Sequence, residues 1–303
     1  MSTPTVSVLM TAWNREDYIG AAIESVLAQT FTDLELIICD DRSGDRTVEI
    51  ANGYAQRDSR VRIVRNDRNL GDYGNRWRAA TLARGQFLKY HDSDDLMYSH
   101  CLATMVNPLM NEPRAGFALS GARGWPGGPC PMLLTPQLAY EREFLGSGVF
   151  HLGPAAAMFR TQTFRELGGF PDVGVASDFV FWVAACAKVN VLLVPGDLFY
   201  YRVHPKQEYA KPENDIAYAK AAAVAWAMLN SAECPLKGAA LEQGKRNYVY
   251  TNVRGAFRHV RRGRPRSGLA ILRFIGLTPA QWFRYLRRPH RMPMAGTPPG
   301  AGA

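Results

Sequence analysis

The first hundred residues alternate short β-branched or aromatic runs with stretches of helical periodicity, and nothing else in the chain constrains its fold as strongly. Val6–Thr11, Leu34–Cys39, Val61–Val64 and Gln86–His91 are brief and bounded by polar residues, which predicts four strands. Between the first two, Ile19, Ile23, Val26 and Leu27 recur at helical spacing; Asn14 is placed to cap that helix and Asp17 to favour its positive end. Strands separated by helices imply βαβ units, hence an α/β fold with a parallel sheet covered on both faces. Such sheets bind ligands beyond the carboxyl ends of their strands. Those ends carry Trp13-Asn14, Asp40-Asp41 and Asp92–Asp95, so three polar clusters are expected to meet on one edge.

Asp92-Ser93-Asp94-Asp95 directly follows the run Phe87-Leu88-Lys89-Tyr90-His91. Acids crowded at the end of a buried strand repel one another and resist desolvation, so a cation is needed nearby. An all-oxygen set suits a hard divalent ion, Mg²⁺ or Mn²⁺, and such an ion suits a diphosphate.

At 303 residues the chain has ample room for a core, and its 47% hydrophobic and 21% charged content is that of a globular protein. Five scattered cysteines without metal-ligand spacing read as reduced thiols, not as a disulfide framework or a zinc site. Val6–Met10 is too short and lacks the basic leader of a signal peptide, and no stretch approaches a spanning helix, so a cytoplasmic location is expected. From Lys245 on there are thirteen Lys/Arg and no Asp/Glu, so the net +9 leaves residues 1–244 at −4 (9 − 13). A mildly acidic body thus carries a basic end suited to an anionic partner.

Further along, Gly124-Trp125-Pro126-Gly127-Gly128-Pro129-Cys130-Pro131 excludes a regular element and reads either as a flap over the ligand edge or as a connector. A helix is expected from Ser177-Asp178, short strands at Val191–Val194 and Leu198–Val203, and helix from Glu213 almost to Pro289. Pro293–Ala303 is expected to be disordered.

Six segments, taken in order, resemble family 2 glycosyltransferases of the GT-A fold. They are Val6–Asn14, Ala28-Gln29-Thr30-Phe31, Leu36–Ser43, Asp92–Asp95, Phe164–Phe170 and Ser177–Trp182. The match spans roughly 5–205. It implies a Rossmann-like, mostly parallel GT-A sheet over 1–205, with a nucleotide-sugar half (1–98) and an acceptor half (99–205). An α-helical, basic C-terminal extension (206–292) and a tail (293–303) follow.

The resemblance also implies roles, each beside a plainer reading of the residue. Asp41 would accept a hydrogen bond from the donor nucleobase, or else form an Asx turn with Ser43 and Gly44. Trp13 would stack on the base in place of the family's tyrosine, or else be a core aromatic. Thr11 would shape the turn, or else its backbone would meet the base, and Arg76 or Arg78 would be a surface arginine, or else hold a phosphate. Asp94 would ligate the metal, Asp92 would contact the ribose or the metal through water, and Asp95 would orient the loop. His204 would face the metal or diphosphate, or else pack; imidazole suits Mn²⁺ better than Mg²⁺. Asp178 would be the general base, although the family's Glu-Asp is Ser177-Asp178 here and Ser177 can cap the helix. His91, His100 and His151 read as structural.

The expected activity is inverting, metal-dependent transfer of a sugar from a nucleotide-diphosphate donor to a glycan or glycolipid hydroxyl. Two alternatives stand beside it: a nucleotidylyltransferase, although no glycine-rich, lysine-bearing phosphate loop is found, and an inactive sugar-nucleotide-binding scaffold, motivated by Ser177. Arginines interleaved with aromatics over 245–291 fit either an anionic membrane surface, giving a peripheral protein, or helices packed on the catalytic domain. No nucleic-acid partner is expected, because no recognition motif accompanies the charge.

Overall fold

The computed structural model describes residues 3–122, 130–146, 148–204, 214–276, 278 and 280. The first half runs β1 (Val6–Ala12), α1 (Ile19–Leu27), β2 (Leu34–Asp40), α2 (Thr47–Ala55), β3 (Val61–Arg65), α3 (Asp72–Leu82) and β4 (Phe87–Asp92). All four expected strands form, each one residue longer at its carboxyl end than the sequence pattern marks. β1 pairs in parallel with β2 and β4, and β2 with β3. Side chains alternate between two cores: on β1, Val8 and Met10 pack with Ile19, Ile23 and Val26, while Leu9 faces Ile37, Ala79 and Tyr90. Burial on both faces makes β1, β2 and β4 mostly apolar, while β3, at the sheet edge, is only partly buried and carries Arg62 and Arg65.

The second half comprises β5 (Leu96–Met97), α4 (Cys101–Asn111), β6 (Ala115–Ala122), β7 (Met132–Leu134), α5 (Pro136–Leu145), β8 (Ala157–Arg160), α6 (Thr161–Glu166), α7 (Ser177–Ala185), β9 (Asn190–Pro195) and β10 (Phe199–Tyr200). Eight strands join in the order β3-β2-β1-β4-β8-β6-β9-β7, with β8 and β7 antiparallel to their neighbours. β10 and β5 form a separate two-stranded ribbon.

Two local expectations are corrected and a third is refined. Asn14 does not cap α1, which starts at Ile19 after Tyr18; Asn14 instead takes a left-handed conformation (φ 53°) and accepts from the Gly44 N–H at 2.8 Å. The strand expected over Leu198–Val203 stops at Tyr200 because its partner β5 has only two residues, and Arg202 N–H then turns to the Asp95 carboxylate. The helical pattern expected after Glu213 resolves, among the described residues, into three helices: α8 (Asn214–Leu229), α9 (Gly238–Arg261) and α10 (Pro265–Phe274). Pro235 and the pair Gly263 (φ 74°) and Pro265 fall at the breaks, where these residue types interrupt a helical ladder.

These helices dock on the second half of the sheet domain. Asn247 donates to the Phe144 carbonyl at 3.0 Å, Tyr248 donates to the Ala222 carbonyl at 2.8 Å, and the Phe144 and Tyr248 rings meet edge-on at 5.6 Å. Val249, Val253, Ala256, Leu272 and Ile275 form their own small core. Each Val, Leu or Ile buried there contributes about 1.5–3 kcal/mol before the entropy of ordering is subtracted. Among the described residues no helix is long and apolar enough to cross a membrane. Most of the Gly/Pro-rich segment from Gly124, the Trp282–Arg288 stretch and the terminal tail lie outside the described residues.

Candidate active site

The strand ends meet as the sheet topology requires. At the end of β1, Trp13 is 53% exposed, so it is no core aromatic; its indole is open to a ligand beside the acidic cluster. Thr11, within β1, lies between Cys39 of β2 and Asp92 of β4. After β2, the Asx turn belongs to Asp40, whose carboxylate accepts from Ser43 N–H at 3.1 Å. Asp41 does something else. It is buried, and it accepts from the Leu70 N–H (2.8 Å), the Gly71 N–H (2.9 Å) and the Asn66 side-chain amide (2.8 Å). Gly71 has φ 78°, a conformation that favours glycine. Asp41 therefore fixes the Asn69-Leu70-Gly71 turn that leads into α3, and three donors hold its carboxylate at the carboxyl edge of the sheet.

Arg76 reaches the edge from α3 and is buried. Its guanidinium pairs with Asp92 (2.7 Å) and Asp72 (2.9 Å) and lies near the Tyr73 and Tyr90 rings. Burial pushes the Asp92 carboxyl up, but the Arg76 charge and hydrogen bond outweigh it and leave the group below its usual value. Asp92 is thus turned towards Arg76 and away from Asp94's partners. Arg76 Nη1 is buried and makes no hydrogen bond, so one donor of this guanidinium is held in reserve.

Asp94 and His204 do come together. His204 Nε2 lies 3.1 Å from Asp94 Oδ2, and the same oxygen accepts from Arg15 Nε at 2.9 Å. The β5–β10 ribbon makes this approach: beyond it, Arg202 donates through N–H to Asp95 (3.0 Å) and through Nε to the Asp94 carbonyl (2.9 Å). Tyr18 stacks on His204 at 4.7 Å and fixes the imidazole plane. Burial, reinforced by Asp92, pushes the Asp95 carboxyl up to about 7, and Asp95 Oδ2 is buried without a partner.

Among the described residues no three His, Cys, Asp or Glu side chains form a metal cage. One carboxylate and one imidazole fit a divalent ion whose remaining ligands are water and a substrate's phosphates, and the imidazole favours Mn²⁺ over Mg²⁺. The under-compensated charge of Asp95 fits the same ion.

Asp178 is the second residue of α7 and accepts from the Phe179 N–H at 2.7 Å. Burial raises its carboxyl to about 6, against the opposing effect of that N–H and of Arg76. Ser177 does not cap α7, which starts after Ala176; its hydroxyl accepts from Val173 N–H and donates to the Gly174 carbonyl, tying down the preceding loop. Asp178 lines a cavity of 1140 Å³ between α5, α7, α8 and α9. His151, read above as structural, also opens into this cavity; it stacks on Phe179 at 5.1 Å and pairs with Glu143 at 3.2 Å. The Glu143 hydrogen bond raises the imidazole pKa. His91 is fully buried, with its pKa driven down to about 3 by burial, as a structural histidine should be.

Arg15, Tyr18, Tyr73 and Arg202 join the site without having been singled out. Arg15 and Tyr18 sit just past the Trp13-Asn14 strand end, and Arg202 is two residues from His204. That proximity was the available signal. Tyr73 faces Asp178 from α3, a contact no local pattern announces.

The architecture is a GT-A fold, shared with solved structures of sugar-transferring enzymes. Staphylococcus aureus TarS 1–349 in complex with UDP-GlcNAc superposes with a TM-score of 0.63 at 20% identity, over 81% of this chain and 72% of that one. The mannosyltransferase PcManGT of Pyrobaculum calidifontis, in complex with GDP-Man and Mn²⁺, gives 0.62 at 20% identity, over 94% and 79%. The glycosyl transferase family 2 model matches residues 7–168, and the chain belongs to that family. A UDP-Glc:α-D-GlcNAc-diphosphoundecaprenol β-1,3-glucosyltransferase of Escherichia coli, WfaP, is 36% identical over 217 residues, 66% of this chain and 77% of that protein. The poly(ribitol-phosphate) β-glucosyltransferase of Bacillus spizizenii is 28% identical over 221 residues; the match covers 69% of this chain but only 34% of that longer protein.

Proposed function

We propose that this glycosyltransferase transfers a hexose with inversion, in a divalent-metal-dependent reaction, from a nucleotide-diphosphate donor to a hydroxyl of a glycan or lipid-linked acceptor. One observation carries the reading: Asp178, raised to about 6, lines a large cavity while Arg76 links it electrostatically to the acidic donor edge. A base with a pKa near the working pH is ionised yet still basic enough to accept a proton.

Trp13 stacks on the nucleobase, Asp41 and the Thr11 backbone mark its edge, and Asp92 lies towards the ribose. Arg76 gives the diphosphate a buried positive neighbour. Mg²⁺ or Mn²⁺ held by Asp94 and His204 would offset the negative charge that grows on the departing diphosphate. Asp178 takes the acceptor hydroxyl proton as that oxygen bonds to the anomeric carbon; the bond to the diphosphate breaks, and its electron pair leaves with the phosphate oxygen. The donor half (1–98), acceptor half (99–205) and helical extension (206–292) divide these tasks. A lipid-linked acceptor places the protein at the inner membrane face, with the basic end towards anionic lipid.

The test is a screen of sugar nucleotides with an acceptor glycoside, with and without EDTA, followed by NMR of the product's anomeric centre. Nucleoside diphosphate release that depends on metal, with an inverted centre, is expected. Pyrophosphate release, or retention of configuration, overturns the reading.

A further inference from the structure

The cavity that holds Asp178 extends along α9. Arg254 and Arg258 line it, and both also line an adjoining hollow of 500 Å³ with Phe257, Arg261 and Arg262. Arg254, Arg258, Arg261 and Arg262 lie four, seven and eight residues apart, which makes one stripe of the helix, and the other side of α9 is buried through Val249, Val253 and Ala256. Like charges at this spacing work against a helix. The negative C-terminal end of α9 offsets that cost for Arg258 and Arg261 in the last turn, but Arg254 lies further in.

No acid offsets it either. Asp215 of α8 is taken by His259, Arg264 and Ser267. Among the described residues no carboxylate pairs with Arg254, Arg258, Arg261 or Arg262. Glu143 shares the cavity, but its carboxylate is committed to His151 and to the N–H groups of Val149 and Phe150. Arg254 is meanwhile held in place: it donates to the Tyr250 hydroxyl at 2.6 Å and lies over that ring at 5.4 Å. Arg254, held by Tyr250, and Arg258 one turn on are both exposed at the wall of the cavity that holds the candidate base, without a counter-charge among the described residues, and that arrangement suits an anionic ligand.

We propose that Arg254 and Arg258 form a phosphate subsite for the acceptor, which places its hydroxyl-bearing sugar at Asp178 and its phosphate or diphosphate on α9. This rests on the reading of Asp178 as the base. Guanidinium forks match phosphate oxygens two at a time, so the pair selects acceptors carrying phosphate next to the sugar over neutral glycosides. Arg261 and Arg262 continue the track towards the rest of a long acceptor.

The experiment measures binding of decyl-diphospho-N-acetylglucosamine and of decyl N-acetylglucosaminide to the full chain, with EDTA present and no donor, so that donor-site metal plays no part. Wild type should bind the diphosphate at least about tenfold more tightly, and R254Q/R258Q should lose that preference while binding the neutral glycoside unchanged. Equal binding of both compounds by wild type, or a preference that survives in the variant, overturns the proposal. Should R254Q/R258Q melt early, R254K/R258K keeps the charge without the forks and should retain only part of the preference; full retention counts against the subsite. Binding to phosphatidylglycerol vesicles that R254Q/R258Q abolishes, without any diphosphate preference in wild type, would reassign the arginines to a lipid surface. Because binding is read without turnover, absence of nucleoside diphosphate release would count against the catalytic reading alone.

Discussion

At the carboxyl edge of the sheet the main charges are answered within the fold, whereas along α9 they are left open. Asp92 has Arg76, Asp94 has Arg15 and His204, and Asp41 has three hydrogen-bond donors. Among the described residues no carboxylate pairs with Arg254 or Arg258; Arg254 is held by Tyr250, and both line the cavity. The difference follows from what each region would bind. A donor site that holds a metal and a diphosphate needs acids kept ionised and fixed in place before the ligand arrives. An acceptor track can leave its positive charge uncompensated, because the acceptor itself brings the negative one.

Four measurements would break or sharpen this contrast. The largest effect is expected at the junction of the two regions: Asp178→Asn should lower kcat about 10³-fold with donor binding unchanged. In wild type, kcat/KM should fall as pH drops through about 6, since the protonated carboxyl accepts nothing, and a flat profile there would remove Asp178 as base. The stability sign is opposite. A raised folded pKa means the native state holds this proton more tightly than the unfolded chain, so the group's contribution to stability declines as pH rises from about 4 towards 6. Asp178→Asn should therefore not lower the melting temperature at pH 7.

Next is Asp94→Asn, expected to cost about 10²-fold in kcat and to weaken Mn²⁺ activation. Unchanged metal dependence would detach Asp94 from the ion. Arg76→Met tests the answered charges directly: stranding Asp92 and Asp72 should cost about 3 kcal/mol of folding stability in a urea titration. A loss below about 1 kcal/mol would mean solvent already screens that cluster. The smallest effect is at the rim. Trp13→Ala should raise the donor KM about fivefold, equivalent to about 1 kcal/mol, with kcat and stability unchanged.

The same contrast explains what could be read in advance. β1, β2 and β4 were legible because strands buried on both faces are mostly apolar, and the edge strand β3 by its β-branched Val61, Ile63 and Val64; Trp13, Asp41 and Asp92–Asp95 fall at or near strand ends by topology alone. Asp94 and His204 were both named from the resemblance, but their meeting depends on a two-residue ribbon too short to leave a pattern. Arg76 was read, with Arg78, either as a phosphate holder or as a surface arginine; its burial and its pairing with Asp92 join α3 to the end of β4, and local sequence does not encode such distant pairs. The α9 arginines were legible as charge but not as a cavity wall, because which face of a helix is covered depends on what docks against it. Asn14 failed as a cap for a simpler reason: its side chain found a better partner at Gly44, thirty residues away.

The contact between His204 and Asp94 also has a temporal side. The two residues are separated by 110 positions, and closing so long a loop is slow compared with forming the local βα units around Asp94. During synthesis the first half therefore emerges with its carboxylate but without the imidazole. The pair is completed only when β10 lays itself against β5, after the strand and helices of the acceptor side have been made. On the roles proposed for Asp94 and His204, a nascent chain would be a poor consumer of activated sugar, because the imidazole joins the carboxylate only once the ribbon has formed.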